Sequence, residues 1–154
     1  MNEVMCTVAS SLEEMELKYE IKGAHFSVIL GDEEADFHFY IIPDEENKVL
    51  TVIGRFPVRV PKSIRERMYG FVNELNNESD TSGFFAISKE GELSLCLSSH
   101  FDGGVLTEET VKACFSMVAY RLLDSYENTM NVMFGGGQYT FCFADNGHGT
   151  DERA

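Results

Sequence analysis

The sequence predicts an α+β domain: an antiparallel sheet of about five strands covered by three helices, in the order helix, three strands, helix, two strands, helix. Three observations carry this expectation. Runs with apolar residues at every second position cluster in a group of three and a group of two, and short polar links within each group suit hairpins rather than crossovers. Segments with apolar residues three and four apart stand before, between and after those groups, the period of a helix buried on one side. The 154 residues hold no internal repeat and no low-complexity linker, so a single core is expected at this length.

The first segment, Glu3 to Met15, sets Val4, Val8, Leu12 and Met15 at helical spacing. Three strand-like runs follow. "KYEIKGAHFSVIL" carries Phe26, Val28 and Leu30 in alternation after a turn near Gly23. "ADFHFYII" sets Phe37, Phe39 and Ile41 against His38, Tyr40 and Ile42, and "KVLTVIGRF", after the acidic turn "PDEEN", is rich in β-branched residues. Next, Ser63-Ile64-Arg65-Glu66 has the form of a capping box with Pro61 just ahead of it. Ile64, Met68, Phe71, Val72 and Leu75 then make an apolar stripe that "NN" closes. Gly70 inside that helix costs about 1 kcal/mol against alanine.

"GFFAISKEGELSLCLSS" reads as a hairpin in which Gly91 supplies the left-handed turn residue. Thr107 is the expected N-cap of a long last helix, with Glu108 and Glu109 at the positive end of its dipole. Val111, Cys114, Phe115, Val118, Leu122, Tyr126, Met130 and Met133 form its stripe, and Gly135 to Gly137 stop it. Phe39, Val52, Leu95, Phe115 and Leu122 are the expected centre of the core. Residues 1–134 thus read as one domain. Residues 135–154 read as a glycine-rich extension with one strand-like run, Tyr139, Phe141 and Phe143 on one face, and a polar tail.

The net charge of −14 opposes binding to nucleic acid or an anionic membrane, because the field of the whole molecule repels polyanions. No apolar run reaches the roughly 20 residues of a membrane span, and the acidic start lacks the basic end of a signal peptide. The expected location is cytoplasmic. Cys6, Cys96, Cys114 and Cys142 form no Cys-x-x-Cys pair and read as reduced, mostly buried thiols.

The pieces "LTVIGRFPVRVPKSIRERMYGFVNELNN", "GFFAISKEGELSLCLSS" and "GGVLTEETVKACFSMVAYRLLDSY" carry a family resemblance. Over roughly residues 3 to 134 the sequence resembles the YbjN family, small bacterial proteins labelled sensory transduction regulators. The resemblance implies a fold similar to that of type III secretion chaperones, which are small, acidic, dimeric proteins that hold unfolded segments of their partners. It brings no catalytic residues and no cofactor.

The residues themselves leave few sites. Five of the twelve Lys and Arg lie between Arg55 and Arg67. On a strand, Arg55 and Arg59 share one face, and on the following helix Lys62 can pair with Glu66 and Arg67 faces Glu74. Most of this cluster therefore reads as a solvated face. An acidic peptide or a phosphorylated group is the ligand chemistry that Arg55 and Arg59 would suit. His38 in its aromatic strand reads as half-buried and hydrogen-bonded. His100 and Asp102 make only two ligands, short of a metal site. "FGGGQ" lacks the lysine and following helix of a phosphate loop, and the acidic turns lack the ligand spacing of an EF-hand.

The expected function is therefore non-enzymatic: a regulatory or chaperone-like protein that binds a protein partner and forms a homodimer, with no cofactor and no metal. Arg55, Arg59, Tyr139, Phe141 and Phe143 are the candidate contact residues. The Tyr139–Phe143 run would either pair across a two-fold axis or fold back on its own subunit. The alternative is a small-ligand binder or weak enzyme with a pocket between the aromatic strands and the last helix.

Overall fold

The computed structural model describes residues 1–31, 35–78 and 83–135 of the chain. The Tyr139–Phe143 run, Cys142, Gly136 and Gly137 lie outside the described residues. The chain begins with α1 (Glu3–Glu14), which Asn2 caps by accepting from the Met5 N–H at 2.9 Å. A hairpin of β1 (Tyr19–Lys22) and β2 (His25–Gly31) follows, and then β3 (Asp36–Asp44) and β4 (Val49–Arg59). After α2 (Arg65–Asn76) come β5 (Phe84–Ile87) and β6 (Glu92–His100), and the chain closes with α3 (Glu108–Asp124) and α4 (Tyr126–Phe134).

The strands form one antiparallel sheet in the order β1-β2-β3-β4-β6-β5. The α+β class holds, with six strands and four helices among the described residues where about five and three were expected. The extra strand arises because the turn at Gly23 (φ +64°) folds "YEIK" back on "HFSVILG". The extra helix arises because the last helix breaks at Ser125. There the Ser125 hydroxyl donates to the Leu122 carbonyl (3.2 Å), and the Thr129 hydroxyl donates to the Ser125 carbonyl (2.7 Å). Such back-bonding bends a helix.

The helices lie against one face of the sheet. Phe39, Val52, Leu95 and Leu122 are completely buried, and Phe115 is nearly so, with its ring centroid 5.0 Å from that of Phe39. Gly54 admits this approach: a Cβ there would stand 2.9 Å from Val118 and 3.0 Å from both Leu122 and Phe39. Ser10 on α1 donates to Glu108 on α3 (2.7 Å), and Lys112 pairs with Glu14 one turn further along. At one end of the core Tyr126 stacks on Phe56 (6.2 Å) and meets Phe37 edge-on (5.1 Å).

One local expectation fails. The Ser63–Glu66 capping box is not formed, since residues Lys62–Ile64 make a tight 3-10 turn and Ile64, which offers no side-chain cap, stands at the N-cap of α2. The entry is held instead by Arg65, which donates to the carbonyls of Val60 and Lys89, both at 3.0 Å. That fork ties the β5–β6 turn, where Gly91 has φ +89°, to the end of β4. It closes the helix start without the serine.

Candidate binding site on the open face of the sheet

Period-two alternation puts every second residue of each strand on the face away from the helices. Register aligns these residues in rows. Glu20, Ser27, Tyr40, Ile53, Cys96 and Phe84 cross the sheet in one row, and Ile29, His38, Arg55, Ser94 and Ala86 in the next. Most are half-buried or exposed; Ser27 is the buried exception. Ile29 and Phe84 stand 54% and 55% exposed, so the face is partly apolar.

The regular ladder breaks at the end of β4. Arg55 lies opposite Ser94, but Arg59 lies opposite Glu92, so four steps along β4 match two along β6. This bulge swings Arg59 back toward Arg55. Arg55 Nη1 lies 3.3 Å and Arg59 Nη2 3.4 Å from the same Oε2 of Glu92. Arg55 Nη2 also donates to the Tyr40 hydroxyl at 2.9 Å, and its guanidinium carbon stands 5.4 Å from the centre of that ring. The Tyr40 ring in turn meets His25 edge-on at 5.8 Å. A tyrosine that both accepts from an arginine and offers it a ring face fixes the direction of the guanidinium.

Beside the bulge lies an open cleft of about 450 Å³. Its walls include His38, Arg55, Pro57, Arg59, Glu92 and Tyr126. A second, shallower hollow of about 590 Å³ continues across the face toward β1, past Tyr40, Ile29, Lys18 and Lys22. His38 and Arg55 line both.

The five basic residues of the central cluster thus separate. Arg55 and Arg59 converge on the open face. Arg65 is a structural clamp, and Arg67 donates to the Val132 carbonyl of α4 at 2.9 Å. Lys62 is exposed. Tyr139, Phe141 and Phe143 are outside the described residues. His38 lies half-buried directly across from Arg55, while His100 sits exposed at the end of β6. Among the described residues no three His, Cys, Asp or Glu side chains group as metal ligands.

Sequence reading overlooked Glu92, Tyr40 and the bulge. Pro57 was the available sign, because proline within a central strand belongs at a bulge. Chemically the arrangement offers two guanidinium forks and a phenol to an acceptor. On the same face, burial pushes the Cys96 thiol above its ordinary value, the opposite of what thiolate chemistry needs.

The YbjN family model, described as "Putative bacterial sensory transduction regulator", matches residues 7–127. No curated protein matches the sequence. Among solved structures, the chain is similar to the crystal structure of YbjN, a putative transcription regulator from E. coli, at 15% identity and a TM-score of 0.57, covering 80% of this chain and 92% of that one. It is also similar to a chain in the structure of the HopA1-SchA chaperone-effector complex, at 15% identity and a TM-score of 0.54, covering 80% of this chain and 93% of that one. These likenesses are of fold.

Proposed function

The chain belongs to the YbjN family, and from that premise we propose that it is a non-enzymatic regulatory or chaperone-like protein that holds a protein segment on the open face of its sheet. The observation that carries this reading is the composition of that face. Exposed Ile29 on β2 and Phe84 on β5 flank the central strand that carries Arg55, oriented by Tyr40, and Arg59. Apolar anchors mixed with arginine are what protein interfaces select. The family description as a regulator and the chaperone-like fold support the same class of role. In this reading Arg55 and Arg59 touch the partner, the protein works in the cytoplasm and forms a homodimer, and Tyr139, Phe141 and Phe143 are further contact residues.

Site-specific photo-crosslinking tests the proposal. A benzophenone side chain is placed at Ala86 or Ser98 on the open face, and at Asn73 on the outer side of α2 as control. Adducts with a cellular protein are expected from positions 86 and 98, and they should vanish when Arg55→Ala and Arg59→Ala are combined. Equal adducts from position 73 would contradict it.

A further inference from the structure

We infer that the bulge is a recognition site for a single carboxylate carried on an apolar body, presented by an acidic, aromatic-containing segment of the partner protein. The inference rests on the docking reading above and adds the chemistry of what docks.

The internal contact at the bulge is a loose one. Two guanidinium groups share one oxygen of Glu92 at 3.3 and 3.4 Å, whereas charge-assisted hydrogen bonds close to about 2.7–2.9 Å and arginine prefers to engage two oxygens. The Arg59 side chain remains 66% exposed. An ion pair of that kind adds about 0–1 kcal/mol to stability, so an incoming carboxylate displaces it at little cost. The bulge interrupts the ladder of a central strand between Arg55 and Arg59. Bulges re-aim side chains, and here the side chain re-aimed is Arg59.

The cleft selects the ligand. Pro57, Val58 and Tyr126 add apolar lining beside the arginines, which suits a charged group carried on a hydrocarbon or aromatic stem. Asp36 and Glu92 stand on the same walls and offset the charges of Arg55 and Arg59, which leaves little net attraction for the second charge of a dianion such as phosphate. Arg55, with one fork edge already on the Tyr40 hydroxyl, and Arg59 supply the opposing donors. Glu92 therefore acts as a built-in competitor for the position of the ligand carboxylate.

The test uses the full purified chain, nitrogen-15 NMR, and three probes: hydrocinnamate, its uncharged amide, and inorganic phosphate. Hydrocinnamate should shift the amides of His38, Arg55, Arg59 and Glu92 saturably, and the amide probe should not. Arg59→Ala, at a side chain exposed enough to leave folding intact, should weaken hydrocinnamate at least severalfold. Glu92→Gln should tighten it on the order of fivefold, by removing a nearby like charge. A Glu92→Gln protein that binds no tighter, or phosphate that binds as well as hydrocinnamate, would overturn the inference. Crosslinks at positions 86 and 98 that persist while hydrocinnamate fails to bind would also overturn it and leave the docking reading standing. Probe binding without those crosslinks would instead fault the docking reading and keep the carboxylate site.

Discussion

A single residue can be read in two ways on the open face, and Cys96 shows how the physics decides. It lies in the row of Tyr40 and Ile53, close enough to the arginines to invite a catalytic reading. Burial raises its thiol, and burial is also the larger influence raising Cys114 against a hydrogen bond with Ser99 that lowers it. Raised values mean less thiolate at any pH below them, hence slower alkylation. Native protein treated with iodoacetamide at mildly alkaline pH should therefore label exposed Cys6 ahead of Cys96 and Cys114; mass spectrometry of the peptides checks the order. Asp44 offers a second test. Its carboxyl lies below the ordinary value of 3.8 because the Asn47 side chain donates to it, helped by the Asn47 backbone N–H. A lowered folded value means that the contact stabilises above the unfolded value and is lost as pH falls through the folded one. Asn47→Ala should move the Asp44 titration, followed by NMR, back up toward 3.8.

Among the elements, β4 carries both the core and the site, and its two exceptional positions have opposite uses. Gly54 lets α3 approach; Pro57 marks where the ladder gives way. Gly54→Ala should cost about 1–3 kcal/mol through overpacking, and Leu122→Ala about 2–5 kcal/mol through a cavity. Because the added Cβ meets Leu122, the double variant should be more stable than the sum of the two losses predicts, measured by urea unfolding. The order of elements was legible in the sequence because alternation and helical stripes are local. Edge strand β1 was hidden by its short, charged character: Glu20 and Lys22 flank a single apolar residue. The break at Ser125 was hidden because the apolar stripe runs straight through it. Arg55 and Arg59 could be placed on one face from spacing alone. Glu92 could not, because register across β4 and β6 is a long-range property that Pro57 only hinted at.

At the scale of the molecule, a chain of net charge −14 gathers Arg55, Arg59, Lys18 and Lys22 around the hollows of one sheet face. Among the described residues no helix is long and apolar enough to cross a membrane. The proposed homodimer predicts a sedimentation mass of two chains at tens of micromolar (order of magnitude), since obligate assembly persists there. Truncation after Gly135 should give a folded monomer. A monomeric full-length protein, or a truncated one that loses stability with no change in mass, would favour a tail folded on its own subunit.

A partner seated on the open face would cover three isoleucines there, and isoleucine methyl NMR reads them one by one. Ile29, Ile42 and Ile53 stand on that face, whereas Ile41 is fully buried beneath the helices and Ile64 lies at the entry to α2. When the partner recovered by crosslinking is added to saturation, the methyl signals of Ile29, Ile42 and Ile53 should move together while those of Ile41 and Ile64 stay in place. Movement confined to Ile64, with the three open-face signals unchanged, would contradict it.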